Sequence, residues 1–147
     1  MARLEQIRDA AVIHIRGAIP KQARCEAFSG ELTPESVALK RLTRAGAVLV
    51  TCVGMASTAE EGSLDLRMRA QFGDFCLARN TKSAEGGEAD VLPLAQTIGL
   101  LVHGASFDLA GVGPGRLLAL DNCFTAEWEK EGITAWAVTW EHDIHFG

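Results

Sequence analysis

The sequence has no CxxC pair, no basic stripe and no apolar run long enough to cross a bilayer. Each absence removes a class. Cys25, Cys52, Cys76 and Cys123 are widely scattered, which argues against a zinc site and against a disulfide framework. They read as reduced thiols, Cys52 and Cys76 inside apolar stretches and Cys25 as the most exposed of the four. The formal net charge of −5 speaks against a dedicated nucleic-acid binder, which carries a basic stripe. It leaves room for a protein that lets DNA pass without holding it. With neither a charged-then-apolar leader nor a spanning run, the chain is expected to be made and kept in the cytoplasm, with no membrane partner. Tyrosine is absent altogether, for no evident physical cause.

What is present reads as an ordinary globular chain. Its 147 residues, 48% of them hydrophobic, are most simply one domain over 1–147, large enough to bury a core. The longest strand signal is 64–80, LDLRMRAQFGDFCLARN. Leu64, Leu66, Met68, Ala70 and Phe72 alternate with Asp65, Arg67, Arg69 and Gln71, as in a strand with one buried and one wet face. After Gly73 the run Phe75, Cys76, Leu77, Ala78 is continuously apolar, so this end is expected to be covered on both faces. Gly73 is the expected place for a bulge or bend that shifts the alternation.

Around this strand the chain falls into order. Residues 2–16 predict a helix with Leu4, Ile7, Ala11 and Ile15 on one stripe, Ala10 beside it and Gly17 as the stop. Residues 18–32 show no period and read as a loop, either a plain surface loop or an arm packing on a neighbouring subunit. Thr33 caps a second helix, with Pro34 at its first position, Glu35 near its positive end and Gly46 closing it. Residues 47–55 predict a buried interior strand joined by the polar loop 56–63 to the long strand as an antiparallel hairpin. A Gly-rich, charged loop follows at 81–89. Asp90 is expected to cap a third helix, with Pro93 in its first turn, a face of Val91, Leu94, Ala95, Ile98, Leu101 and Val102, and Gly104 at its end. Residues 105–115 are irregular and close on a VGPG turn, with no lysine or helix placed to cradle a phosphate. Residues 116–129 and 133–146 predict a hairpin about Lys130-Glu131-Gly132. That register sets Glu129 opposite Ile133, Ala126 opposite Trp136 and Phe124 opposite Val138. Trp128, Trp136 and Trp140 would then share one face with Phe124, Val138 and Ile144. Ala135, Ala137 and Thr139 on the other face would let a helix or a second subunit come close. The fold class expected is α+β, an antiparallel or mixed sheet of about four strands flanked by about three helices.

Candidate chemistry is sparse. In His142-Asp143-Ile144-His145 the two histidines point to opposite faces of a strand, so they do not converge on a metal, and a polar chain end is the better reading. His14 and His103 are lone helix residues. Glu60-Glu61 and Glu127, Glu129 and Glu131 read as a solvated acidic rim. Ser29 and Ser83 lack a nucleophile-elbow context, and no histidine is tied to Cys25. No catalytic residue, cofactor or metal is expected.

Taken together, the N-terminal amphipathic helix, the strand AVLVTCVG, the segment FCLARN, the Gly-rich loop, the helix around LAQTIGLLVHG and the closing strand AWAVTWEHDI resemble the small tail-protein family of Mu-like phages and prophages. That family is similar to the tail terminator proteins of long-tailed phages. The resemblance implies a structural virion protein and no enzyme: a homo-oligomeric ring, expected to be a hexamer, at the head-proximal end of the tail. Its partners would be further copies of itself, the tail tube protein, the head–tail connector protein, and genomic DNA passing through the channel without specific binding. Glu60, Glu61, Ser83 and Glu85 lie on loops that could meet axial neighbours, and Arg67 and Arg69 on the wet side of the long strand could pair with acids of the next subunit. The bland reading of each is a solvated side chain. Two alternatives stand beside this one. The chain could be another head–tail adaptor, tube or assembly protein of the same particle. It could also be a small hydrolase or ligand-binding domain, which would need a pocket of convergent polar groups.

Overall fold

Strand β3 (Arg67–Arg79) is the axis of this computed structural model, which describes residues 4–29, 33, 46–58, 62, 66–79, 86–123 and 125–145 (the backbone alone over 86–90). Along its whole length β3 pairs antiparallel with β5 (Ile133–His145), from Arg67↔His145 to Arg79↔Ile133. On its other side it pairs antiparallel with β2 (Ala47–Ser57), forming the hairpin expected from the sequence. With β1 (Arg24–Ala27) and β4 (Arg116–Asn122) the sheet order is β1-β2-β3-β5-β4. The helices are α1 (Leu4–Ala18), α2 (Gly86–Val102) and α3 (Ala126–Lys130). The α+β class is as expected, and β1 makes the sheet mixed because it runs parallel to β2. The helix expected from Thr33 onward lies outside the described residues.

β1 corrects the reading of 18–32 as a loop. Four residues, RCEA, cannot show a period, and their place comes from parallel pairing, Arg24↔Ala47 through Ala27↔Val50. Burial along β3 follows the predicted change at Gly73: alternating before it, enclosed on both faces after it. The bulge, however, is on the partner strand. The register slips between Cys52 and Gly54 of β2, leaving Val53 as the extra residue. Gly73 makes room for it, since a Cβ there would stand 3.3 Å from Val53 Cγ2. β2 is interior only through Val50. Beyond that β1 stops, and Val53 to Ser57 are exposed.

One face of the sheet carries the main core. Ile7, Ala11, Val12 and Ile15 of α1 and Val91, Leu94, Ala95, Ile98 and Val102 of α2 pack on Val48, Val50, Phe72, Cys76, Val138 and Trp140. The apolar stripes were therefore read correctly. Trp140 and Phe72 are fully buried with ring centroids 5.4 Å apart, and burial of such a side chain is worth about 1.5–3 kcal/mol. The start of α2 was misplaced. The backbone is already helical at Gly86, so Asp90 is not the cap and Pro93 lies inside the helix, past its first turn. The pair Gly86-Gly87 reads as loop by propensity, and propensity is a weak guide at a helix end.

The C-terminal hairpin is the largest departure. Thr125 caps α3, its hydroxyl accepting from the Trp128 N–H at 3.3 Å. That short helix takes up the residues assigned to the end of the strand. Gly132 is a turn residue as expected, with φ +68°. The pairing is nevertheless Asn122↔Trp136, Leu120↔Val138 and Leu117↔Trp140, with a slip between Leu117 and Ala119. Ala126 and Glu129 do not enter the ladder, and Phe124 lies outside the described residues. Trp128 consequently packs on the opposite face from Trp136 and Trp140, with Leu49, Leu77, Ile133 and Ala135. The close approach allowed by Ala135 is filled by α3.

Candidate interaction surface

At the far end of β3 and β5 a charged lattice crosses three strands on the face away from the main core. Strand register sets Arg69 opposite Asp143 and Arg116 opposite Glu141. Arg69 Nε lies 3.2 Å from Asp143 Oδ1 and 3.7 Å from Glu141 Oε1. Arg116 donates to both carboxylates, Nη1 to Asp143 Oδ2 at 3.0 Å and Nη2 to Glu141 Oε1 at 3.0 Å. The Arg116 guanidinium, with Arg69 behind it, holds the Asp143 carboxyl below its ordinary range. The lattice is open to solvent, so each pair is worth at most about 1 kcal/mol. Arg116→Gln, which removes two such pairs, should lower stability by no more than about 2 kcal/mol in dilute buffer. The loss should nearly vanish in 1 M salt, where screening acts over roughly 3 Å. Thermal melts at the two salt levels check this. A carboxyl held low favours folding above its unfolded range and loses that contribution as pH falls through its folded value, so the difference should also fade in acid.

The expected interface arginines are both here. Arg67 and Arg69 line an open groove of about 510 Å³ with Thr58, Gly111, Gly113, Asp143 and His145. Arg69 finds its acidic partners within its own chain, whereas Arg67 makes no ion pair among the described residues. Glu60, Glu61, Ser83 and Glu85 lie outside the described residues.

His142 is not a polar chain end. It is fully buried, and Trp140 Nε1 donates to its Nε2 at 2.9 Å. An indole nitrogen can only donate, so the ring proton sits on Nδ1, which donates to Gly113 O at 2.8 Å. Burial lowers its pKa, and the neutral ring ties the 105–115 segment to β5. His145 faces out, as the strand period requires. His103 is satisfied, its Nδ1 accepting from the Leu117 N–H at 3.2 Å, and His14 lies against Phe107. No cluster able to hold a metal ion occurs among the described residues. Cys25 corrects another expectation: it is buried, and its thiol is pushed up to about 12, chiefly by burial. All four cysteines are free.

Two features escaped the sequence reading. Asp74 is fully buried on the helix-covered face, and neither carboxyl oxygen has a hydrogen-bonding partner among the described residues. Burial raises its pKa well above the usual carboxylate range. The other feature is apolar. Val53 and Met55 on β2 and Leu118 and Leu120 on β4 are 56%, 42%, 48% and 40% exposed, at the two sides of the sheet. A second polar set, Arg16, Lys21, Arg24 and Glu26, lines a cleft of about 450 Å³ beside β1.

No family model and no curated protein matches the sequence. Among solved structures, a chain of the "Virion of native gene transfer agent (GTA) particle" is similar in fold, with TM-score 0.58 and 10% identity over 95% of this chain and 94% of that chain. At that identity the likeness is one of fold. No helix among the described residues is long and apolar enough to cross a membrane.

Proposed function

We propose that this chain is a structural protein of a phage-like virion, the terminator that sits as a hexameric ring on the last ring of the tail tube. There it stops polymerisation and offers a surface to the head connector. The observation that carries the reading is the fold likeness to a virion component across nearly the whole of both chains. The sequence resemblance to the Mu-like tail-protein family agrees with it. The surface is compatible with assembly. Charged residues form a lattice at one end of the long strands, and exposed aliphatics lie along both sides of the sheet. Contacts between unlike patches of identical subunits close into rings. An acidic chain of net charge −5 would repel DNA in the channel and let it slide. Glu60, Glu61, Ser83 and Glu85 are proposed to meet the axial neighbours.

The first measurement is mass by light scattering over a range of concentrations, with negative-stain imaging of the particles. Discrete rings with a central hole are expected. Long tubes would assign the chain to the tube of the same particle. A strict monomer that added tail tubes fail to recruit would overturn the structural reading and reopen the search for a ligand.

Arg67 and Arg69 are proposed to contribute to the contact between subunits. Arg67→Glu with Arg69→Glu should lower the oligomer mass while the far-UV spectrum is kept, because the two Arg69 pairs lost, and the repulsion that replaces each, are worth only about 1 kcal/mol apiece. Arg67→Glu alone is the cleaner probe, since Arg67 has no ion pair to lose among the described residues. Unchanged mass in both variants would remove these arginines from the interface.

A further inference from the structure

Two edges of the one sheet have no neighbouring strand among the described residues. β4 is terminal, and β1 flanks β2 only from Ala47 to Val50, which leaves 51–56 without a neighbouring strand on that side among the described residues. We infer that these edges are each other's partners: β4 of one copy pairs antiparallel with residues 51–56 of β2 in the next copy. The inference rests on the ring reading and names its contact.

Strand direction favours the pairing. β2 and β5 run one way, β3 and β4 the other. A neighbour in the same orientation therefore presents β4 antiparallel to β2, and the edges are unlike, as a ring requires. The register fixes where they can meet. Across the sheet Leu120 is level with Val138, Asp74 and Val50, and Leu117 is level with Trp140, Phe72 and Cys52. An unshifted copy would set Leu120 against Val50, which Ala27 of β1 already occupies. A slip of one row would turn every side chain to the wrong face. The smallest slip that keeps the faces is two rows, roughly 7 Å, and a sheet that closes on itself needs such a stagger.

At that offset Leu120 faces Cys52 and Leu117 faces Met55. Each interval holds one extra residue, Leu118 on β4 and Val53 on β2, because both strands slip in register there. The two irregularities fall together, and the ladder stays aligned on either side of them. The edge chemistry points the same way. Residues 51–57, TCVGMAS, carry no charge and no proline, the devices that keep sheet edges apart. The exposed aliphatics Val53, Met55, Leu118 and Leu120 would be brought side by side. The Leu117 N–H is already held by His103, so the new hydrogen bonds fall to 118–121, and the ladder ends before Val50, which Ala27 of β1 holds.

The test uses the native Cys52. Leu120→Cys in a Cys123→Ser background puts one thiol opposite Cys52 of the next copy, and Cys25 and Cys76 are buried. Oxidation with copper–phenanthroline, read on a non-reducing gel, should give a ladder of covalent oligomers ending at the ring number, and the ladder should vanish when Cys52→Ser is added. Met55→Lys, at a position exposed in the single chain, should release monomers with the far-UV spectrum kept. Oligomers seen by light scattering that neither cross-link through Cys52 nor respond to Met55→Lys overturn the edge pairing and leave the ring standing. A monomer at every concentration overturns both.

Discussion

Asp74→Val should raise the stability of the protein at neutral pH by ~1–3 kcal/mol, the range set by a buried polar group without a partner. At this chain length that is an increase of roughly 3–9 °C in Tm. Asp74 sits between Val50 and Val138 in its cross-strand row, so valine continues an apolar row already in place. The helices α1 and α2 close over this face, and neither carboxyl oxygen has a partner among the described residues. The gain should depend on pH with a defined sign. The folded state holds this carboxyl protonated, its pKa raised by burial. Such a group favours folding at pH below its unfolded pKa, near the ordinary 3.8, and that contribution is lost as pH rises toward the folded value. The advantage of Asp74→Val over the parent should accordingly be smallest near pH 4, where only the polar mismatch remains, and grow toward pH 8. Asp74→Asn should keep the polar mismatch and remove only the pH dependence. Melts of the three proteins across this range decide the matter. If Asp74→Val were less stable than the parent at pH 8, the carboxyl would be serving a purpose that an apolar row cannot replace.

Why Asp74 escaped the sequence reading is instructive. In FGDFCLA a single acid after glycine reads as a polar residue at a bend, because local pattern carries no information about which strands lie on either side. The pairings Val50↔Asp74 and Asp74↔Val138 turn it inward. Where a segment was long enough to show a period, the reading held. The apolar stripes of α1 and α2, the β2–β3 hairpin and the change of burial at Gly73 are all present. Where a segment was short, it failed. β1 is four residues and α3 is five, two pleat repeats and under two helical turns, too short for a period to stand out from the sequence. Missing α3 shifted the β4–β5 register and put Trp128 on the wrong face, because the turn at Gly132 was taken to join two strands when it joins a helix to a strand. The charged lattice was half legible. The alternation placed Arg69 on the wet face, while its pairing with Asp143 and Glu141 depends on β3 and β5 being neighbours, which no local signal states. The open edges were invisible for the same reason: an edge is a property of sheet order.

Gly115→Ala should destabilise the protein by ~3 kcal/mol, the upper part of the usual range for forcing extra atoms into a packed site. That is roughly a 10 °C fall in Tm. A Cβ at this position would stand 2.3 Å from the Val102 carbonyl oxygen, 3.1 Å from His142 Cε1 and 3.3 Å from Trp140 Cδ1. The first of these is backbone at the last residue of α2, so no side-chain rotation relieves it. Two hydrogen bonds hold the same junction, Gly104 N–H to Gly115 O at 2.8 Å and Gly115 N–H to Ala105 O at 2.8 Å. Separating α2 from the start of β4 far enough to admit a methyl group would break both and loosen the buried Trp140–His142 pair. Gly17 supplies the contrast. It lies in α1 with nothing within 4 Å of its missing Cβ, so Gly17→Ala should be neutral or stabilising by about 0.5–1 kcal/mol. The opposite signs separate a glycine required by close approach from one that merely ends a stripe. A Gly115→Ala protein that melted with the parent would show that this junction yields. In that case β4, which leaves from it, is not held at the fixed level on which its pairing with a neighbouring β2 depends.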